Sequence, residues 1–220
     1  MQPSPTPDAR STRTTLTLTE AAVVIAICFG LFVVSSIDAV AQDFPTTPFA
    51  DGETLAALVL ELVLAAGALL YLKSRGFDLR SLRPALAWRG VAIGVALYVA
   101  TLLPYWLAYG LLSPGPQPVD EMVNASRLSL IVVVAFALVN ASFEEVFLLG
   151  VLTQGLRSFG LGIAIGVPLG VRMLYHLYQG PMGAVSIVIF GGVLALYYVA
   201  TRDLMAPIVA HVIGDIVPFL

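Results

Sequence analysis

Residues 135–157 read AFALVNASFEEVFLLGVLTQGLR. Together with the flanking apolar residues 127–134 this run is more than long enough to cross a bilayer, which takes about 20 predominantly apolar residues. Yet two adjacent carboxylates, Glu144 and Glu145, stand in its middle. A charged side chain at a helix centre costs about 2.5–3.5 kcal/mol even on the lenient insertion scale, so such groups mark a polar site rather than an accident of composition. Neighbours on a helix point about 100° apart, and two carboxylates in low dielectric do not both ionise easily; one that keeps its proton suits proton transfer.

The rest of the chain agrees with a membrane setting. Of 220 residues, 59% are hydrophobic and only 11% charged, with a mean hydropathy of +0.93; soluble domains carry about 25% charged residues. The net charge of −3 gives no basic footprint for nucleic acid. The single cysteine, Cys28, lies in an apolar run and reads as a small buried hydrophobe. Residues 1–19 are polar and rich in Pro, Ser and Thr, which predicts a disordered cytoplasmic tail. Residues 20–220 form one transmembrane helical domain, with spans expected at 20–40, 54–72, 90–112, 127–157, 161–179, 181–200 and 204–219. The fourth is long enough to tilt, protrude or break near Asn140. Pro104 predicts a kink in the third. Residues 73–89 form a basic segment expected to lie in part on the membrane surface, where Trp88 suits the interface.

The fold class is thus all-α, a polytopic bundle of about seven transmembrane helices. Nine of the eleven Lys and Arg residues fall on one side of this arrangement, Arg127 alone on the other, and Arg172 within a span. That bias places the N-terminus in the cytoplasm and suits a bacterial plasma membrane.

Five formally charged residues lie inside the expected spans: Glu61, Glu144, Glu145, Arg172 and Asp215. Both histidines of the chain, His176 and His211, lie there too. Six of these seven cluster on the fourth, fifth and seventh helices. Arg172 and His176 are four apart and share a face, as are His211 and Asp215. Each pair alone has a structural explanation, an i to i+4 contact that offsets the cost of two polar groups; all three together point to a polar intramembrane site. A carboxylate beside a histidine can take a proton from water, and a second histidine can polarise a carbonyl. The same groups are normal zinc ligands, Glu144, His176 and His211 being the candidate set. No HExxH or GxSxG is present, so the helix-borne zincin and serine-elbow patterns are absent. Glu61, in ALVLELVL, reads as a neutral glutamate bonded to a neighbouring helix.

In chain order, the segments Glu144-Glu145-Val146-Phe147-Leu148-Leu149, Arg172-Met173-Leu174-Tyr175-His176 and His211-Val212-Ile213-Gly214-Asp215 resemble the three motifs EExxxR, FxxxH and HxxxN/D of the CPBP family. This family comprises the CAAX prenyl protease and bacteriocin-processing membrane proteins, also called Abi. The resemblance covers 127–220, the motif-bearing core. It implies an all-helical intramembrane endopeptidase acting on a membrane-associated or lipidated peptide delivered through the bilayer. Carried over, Glu144 would activate water with His176, Glu145 would support the site, and His211 with Asp215 would polarise the scissile carbonyl; both metal-dependent and glutamate-dependent mechanisms are described for the family. Two positions depart from the motifs. Leu149 replaces the arginine of the first, and Arg172 replaces the phenylalanine of the second. Since both lie one turn to the same side of the site, Arg172 is expected to supply the missing cation from another helix. A non-catalytic immunity or scaffold protein of the same family, and a proton-coupled transporter, are the alternative readings.

Overall fold

A computed structural model describes residues 13–112 and 115–220. Within them every regular element is helical: α1 Leu18–Ala41, α2 Asp51–Ser74, α3 Trp88–Leu112, α4 Pro118–Ala125, α5 Leu130–Glu145, α6 Leu161–Tyr175, α7 Pro181–Thr201 and α8 Met205–Ile216. A π-helix, Val146–Thr153, continues α5, and short 3-10 turns occupy Leu79–Leu82, Arg157–Phe159, Leu177–Gln179 and Val217–Phe219. Five stretches are long and apolar enough to cross a membrane: α1, α2, α3, Leu130–Thr153 and α7. The chain is an integral membrane protein. The other two expected spans are shorter, α6 having 15 residues and α8 12. At 1.5 Å per residue they reach about 22 and 18 Å, against a hydrocarbon core of about 30 Å.

Several expected boundaries differ. The fourth span starts at Leu130 rather than 127, because residues 126–129 run extended: the Ser129 N–H donates to Asp51 Oδ1 at 2.9 Å. It does not break at Asn140. The helix widens to π geometry directly after the glutamate pair, where the Thr153 hydroxyl donates to the Leu148 carbonyl at 2.9 Å. Such widenings occur often at functional sites. Helix α4 was not foreseen. Of the expected tail, residues 1–12 lie outside the described residues, whereas Arg13–Thr17 are held. Arg13 pairs with Gly76 and Asp78 through its backbone, and the Leu16 N–H donates to the Gly155 carbonyl at 2.9 Å. Thr17 and Glu20 form a reciprocal capping box, which starts α1 at Leu18 and is worth about 1 kcal/mol. Glu20, buried at that helix start, is paired with Arg13 and with Arg75 at 3.0 Å.

The loops gather at two ends. Phe49 packs edge-on against Phe219 and donates its N–H to Ser126, and Gln117 accepts from the Met182 N–H. At the opposite end stand the Arg13–Gly76 pairing, Leu16 against Gly155, and Arg157 donating to the Val199 carbonyl. Leu130–Thr153 is the most enclosed of the long helices and α3 the least, with Val95, Val99, Leu103 and Leu107 turned outward. Outward apolar side chains on this scale suit contact with lipid. Cys28 is fully buried, packed with Val24, Phe29 and Leu72 around Phe143 and Phe147.

Helix α8 carries two site residues, and its position is set by α3. Gly90 and Gly94 bring the two backbones together: a Cβ on Gly94 would stand 2.6 Å from Val209 Cβ and 2.7 Å from the Ala206 carbonyl oxygen. Small residues of this kind are how membrane helices pack closely. Gly94→Ala is therefore expected to lower the thermal unfolding midpoint in detergent, overpacking costing about 1–3 kcal/mol. Gly67→Ala, whose Cβ meets nothing within 4 Å, should leave the midpoint unchanged or raise it. Equal midpoints for the two variants would contradict the α3–α8 seam.

Candidate active site

Three helices meet around one carboxylate. Glu145, at the end of α5 and fully buried, places Oε1 2.5 Å from Arg172 Nη2 of α6 and 2.7 Å from His211 Nδ1 of α8. Arg172 is 2% exposed, so this is a charge pair with almost no access to water. Arg172 also lies 3.8 Å, through Nε, from Glu144 Oε2, and its guanidinium stands 5.9 Å from the centre of the Phe190 ring. Gly191 makes room for it, since a Cβ there would lie 2.9 Å from Leu169 Cδ1 and 3.1 Å from Arg172 Cδ.

Glu144 points to a different set of partners. Its Oε2 accepts from the Tyr175 hydroxyl at 2.5 Å and lies 3.9 Å from His211 Nε2. His211 Nε2 in turn is 3.5 Å from Asp215 Oδ1. The other Asp215 oxygen accepts from Asn140 Nδ2 at 3.0 Å. His211 thus stands between three carboxyl groups, and Asn140 and Glu144, four apart, share a face of α5. Asp215 is 16% exposed and Asn140 half-buried, so this side of the cluster is the more open one.

His176 ends α6, with Nδ1 2.9 Å from the Arg172 carbonyl. That contact puts the proton on Nδ1 and leaves Nε2 as the acceptor. The ring lies against Tyr175, with centroids 4.4 Å apart, and faces Tyr178 at 6.2 Å. Behind them α1 supports the wall: Phe29 stacks on Tyr175 at 5.2 Å, and Ser36 accepts from the Tyr178 N–H.

The structure brings Glu144, Glu145, Arg172, His211 and Asp215 into one contact network. His176 borders it, within electrostatic reach of Glu144, but no hydrogen bond joins the two. Tyr175 and not His176 is the direct partner of Glu144. Leu149 and Arg172 line the same small cavity with Pro168, Leu169 and Gly191, so the position vacated by the first motif's arginine and the position that gained one lie side by side. Glu61, 95% buried on α2, has no hydrogen bond to a neighbouring helix, contrary to expectation; it lies within electrostatic reach of Glu144, His211 and Asp215. Three contributors escaped the sequence reading. Tyr175 reads there only as a flanking aromatic, although it is three residues from Arg172 on the same face. Asn140 reads as a helix break, although it lies one turn before Glu144. Gly191 gives no sequence signal at all.

The zinc set Glu144, His176 and His211 does not fit an ion. Among the described residues no three His, Cys, Asp or Glu side chains are placed to hold one. The Arg172 guanidinium occupies the side of the glutamates, and His211 Nδ1 is committed to Glu145. A cation is already built into the site as a side chain.

A helical membrane protein with an enclosed acid–base cluster shared by three helices is the class that fold and site define. Residues 126–217 match the family model of type II CAAX prenyl endopeptidase Rce1-like proteins, a match that supports the CPBP resemblance of this segment. No curated protein and no solved structure matches the chain.

The shared cavity of Leu149 and Arg172 has a direct test. Arg172→Phe should lower thermal stability by about 3–5 kcal/mol, the cost of leaving a buried partner uncompensated. Leu149→Arg with Arg172→Phe should recover at least half of that loss, because the cation re-enters the same cavity from the π-helix that continues α5. A double variant no more stable than Arg172→Phe alone would show that the two positions are not interchangeable.

Proposed function

We propose that this protein is an intramembrane endopeptidase that hydrolyses a peptide bond of a membrane-associated or lipidated substrate, with Glu144 as the base that activates water. The observation that carries the reading is the pair of unlike glutamates. Glu145 is committed to Arg172 and His211 at hydrogen-bond distance, whereas Glu144 takes one hydroxyl bond from Tyr175 and has Arg172 and His211 only at 3.8 and 3.9 Å. Two adjacent carboxyl groups with different environments are suited to different tasks.

In this mechanism a water held between Glu144 and His176 Nε2 gives a proton to Glu144 as its oxygen bonds to the carbonyl carbon. The carbonyl π pair moves onto oxygen, and His211 donates to that oxygen. On collapse the C–N bond breaks and the leaving nitrogen takes the proton from Glu144, giving an acid and an amine. Arg172 keeps Glu145 charged and fixed, and Glu145 in turn holds His211 Nδ1. The site would be reached through seven traverses of the bilayer, α6 and α8 crossing with the help of their 3-10 ends. The end that carries Arg13, Lys73, Arg75, Arg80, Arg83, Arg89, Arg157 and Arg202 would face the cytoplasm, as in a bacterial plasma membrane.

The test is cleavage of a pool of membrane-anchored and farnesylated CAAX-type peptides by purified protein in lipid, read by mass spectrometry. Wild type should yield a defined product, and Glu144→Gln should be slower by about 10²–10⁴-fold. A chelator should not change the wild-type rate. Loss of cleavage with chelator, restored by zinc, would replace this mechanism by a metal-dependent one. Equal product from wild type and Glu144→Gln, or none from either with both folded, would contradict the peptidase reading.

A further inference from the structure

The contact between Asn140 and Asp215 is a polar contact of the cluster that the mechanism above leaves without a task. An ionised carboxylate only accepts hydrogen bonds. Asp215 therefore cannot stabilise an oxyanion by itself and would repel one. Its two oxygens are instead directed at two donors: Oδ1 lies 3.5 Å from His211 Nε2, and Oδ2 accepts from Asn140 Nδ2 at 3.0 Å. Facing an acceptor-only group, the Asn140 side chain must turn its NH₂ toward Asp215. One of the two amide hydrogens is then held by the carboxylate, and the other remains for a ligand.

Asn140 is also placed for this work. It lies four residues before Glu144 on one face of α5, where Cβ atoms are about 5–6 Å apart. A carbonyl carbon about 3 Å from a water held by the base can then have its oxygen about 3 Å from the amide. Helix α8 runs antiparallel to α5 here, since Asn140 meets Asp215 while Glu145 meets His211. Base and amide donor share one rigid helix, and Asp215, which faces the amide, shares the other with His211. The half-buried position of Asn140, against the full burial of Glu145, puts the donor on the side a substrate can approach.

We propose that Asn140 is a catalytic residue that polarises the scissile carbonyl, with Asp215 as the positioning residue that orients its amide. This rests on the peptidase reading. During attack the carbonyl π pair becomes an oxyanion that accepts from the free Asn140 N–H and from His211. As the C–N bond breaks the pair returns to carbon and both donors are released unchanged, so Asn140 neither gains nor loses a proton over the cycle.

The experiment uses the full-length protein in lipid and the farnesylated CAAX-type peptide of the pool above. Kcat and KM are measured for wild type, Glu144→Gln, Asn140→Ala, Asn140→Asp, and the exchange Asn140→Asp with Asp215→Asn. Thermal midpoints confirm folding. Asn140→Ala should lower kcat by about 10²–10³-fold with KM within about threefold, as for loss of one oxyanion donor. Asn140→Asp, which sets two carboxylates against each other, should fall at least as far. The exchange restores one amide and one carboxylate in contact and should return kcat to within about tenfold of wild type. Wild-type kcat in Asn140→Ala, or an exchange no faster than Asn140→Asp, would overturn the proposal while Glu144-dependent cleavage stood. If Glu144→Gln cut as fast as wild type, the peptidase reading would fall, and this proposal with it.

Discussion

Charge inside hydrocarbon is the constraint on which this structure depends. A lone carboxylate or guanidinium in the bilayer interior pays a desolvation cost that only a close partner of opposite sign offsets. Glu145 and Arg172 meet that condition on different helices, and His211 joins them from a third. The cluster therefore works as a clasp: α5, α6 and α8 must come together for any of the three side chains to be tolerated. Loss of one partner leaves another buried without compensation, which ties assembly of the fold to assembly of the site.

The clasp also separates the duties of the two glutamates. Because Glu145 Oε1 takes the hydrogen bonds from Arg172 and His211, Glu144 is the one whose hydrogen-bond partner is neutral, the Tyr175 hydroxyl, with Arg172 and His211 only at 3.8 and 3.9 Å. The π-helix that begins at Val146 follows this pair directly and leads to the turn of chain where Leu16 packs against Gly155. Local irregularity, buried charge and the meeting of three helices thus coincide at one place in the bundle. Around it the aromatic wall of Phe29, Phe143 and Phe147 is apolar, and the polar groups face one another rather than lipid.

Much of this was legible before any coordinates. Hydropathy located all seven apolar helices to within a few residues at most ends, because each is an apolar run bounded by charge, Gly or Pro. The misplaced charges named Glu144, Glu145, Arg172, His211 and Asp215, because nothing but a partner makes them affordable in such runs. Even the nearness of Leu149 and Arg172, which line one small cavity, was expected from depth along oppositely directed helices. What escaped has a physical reason in each case. The span count blurs because α6 and α8 are short, and hydropathy does not measure whether a helix reaches both surfaces. Tyr175 and Asn140 are unremarkable in type, and only the crossing of helices gives them partners. The π widening after Glu145 leaves no compositional mark, and the Gly94 contact is a property of two backbones rather than of one sequence.

The central claim is that Glu145 and Arg172 are directly coupled inside the membrane domain. A double-mutant cycle on thermal stability in lipid, with Glu145→Gln, Arg172→Met and both together, measures that coupling without any substrate. A favourable interaction of about 1 kcal/mol or more, with the double variant less destabilised than the sum of the singles, is the result this account predicts. Effects that add to within about 0.5 kcal/mol would mean that the two side chains do not meet, and would contradict the site built here.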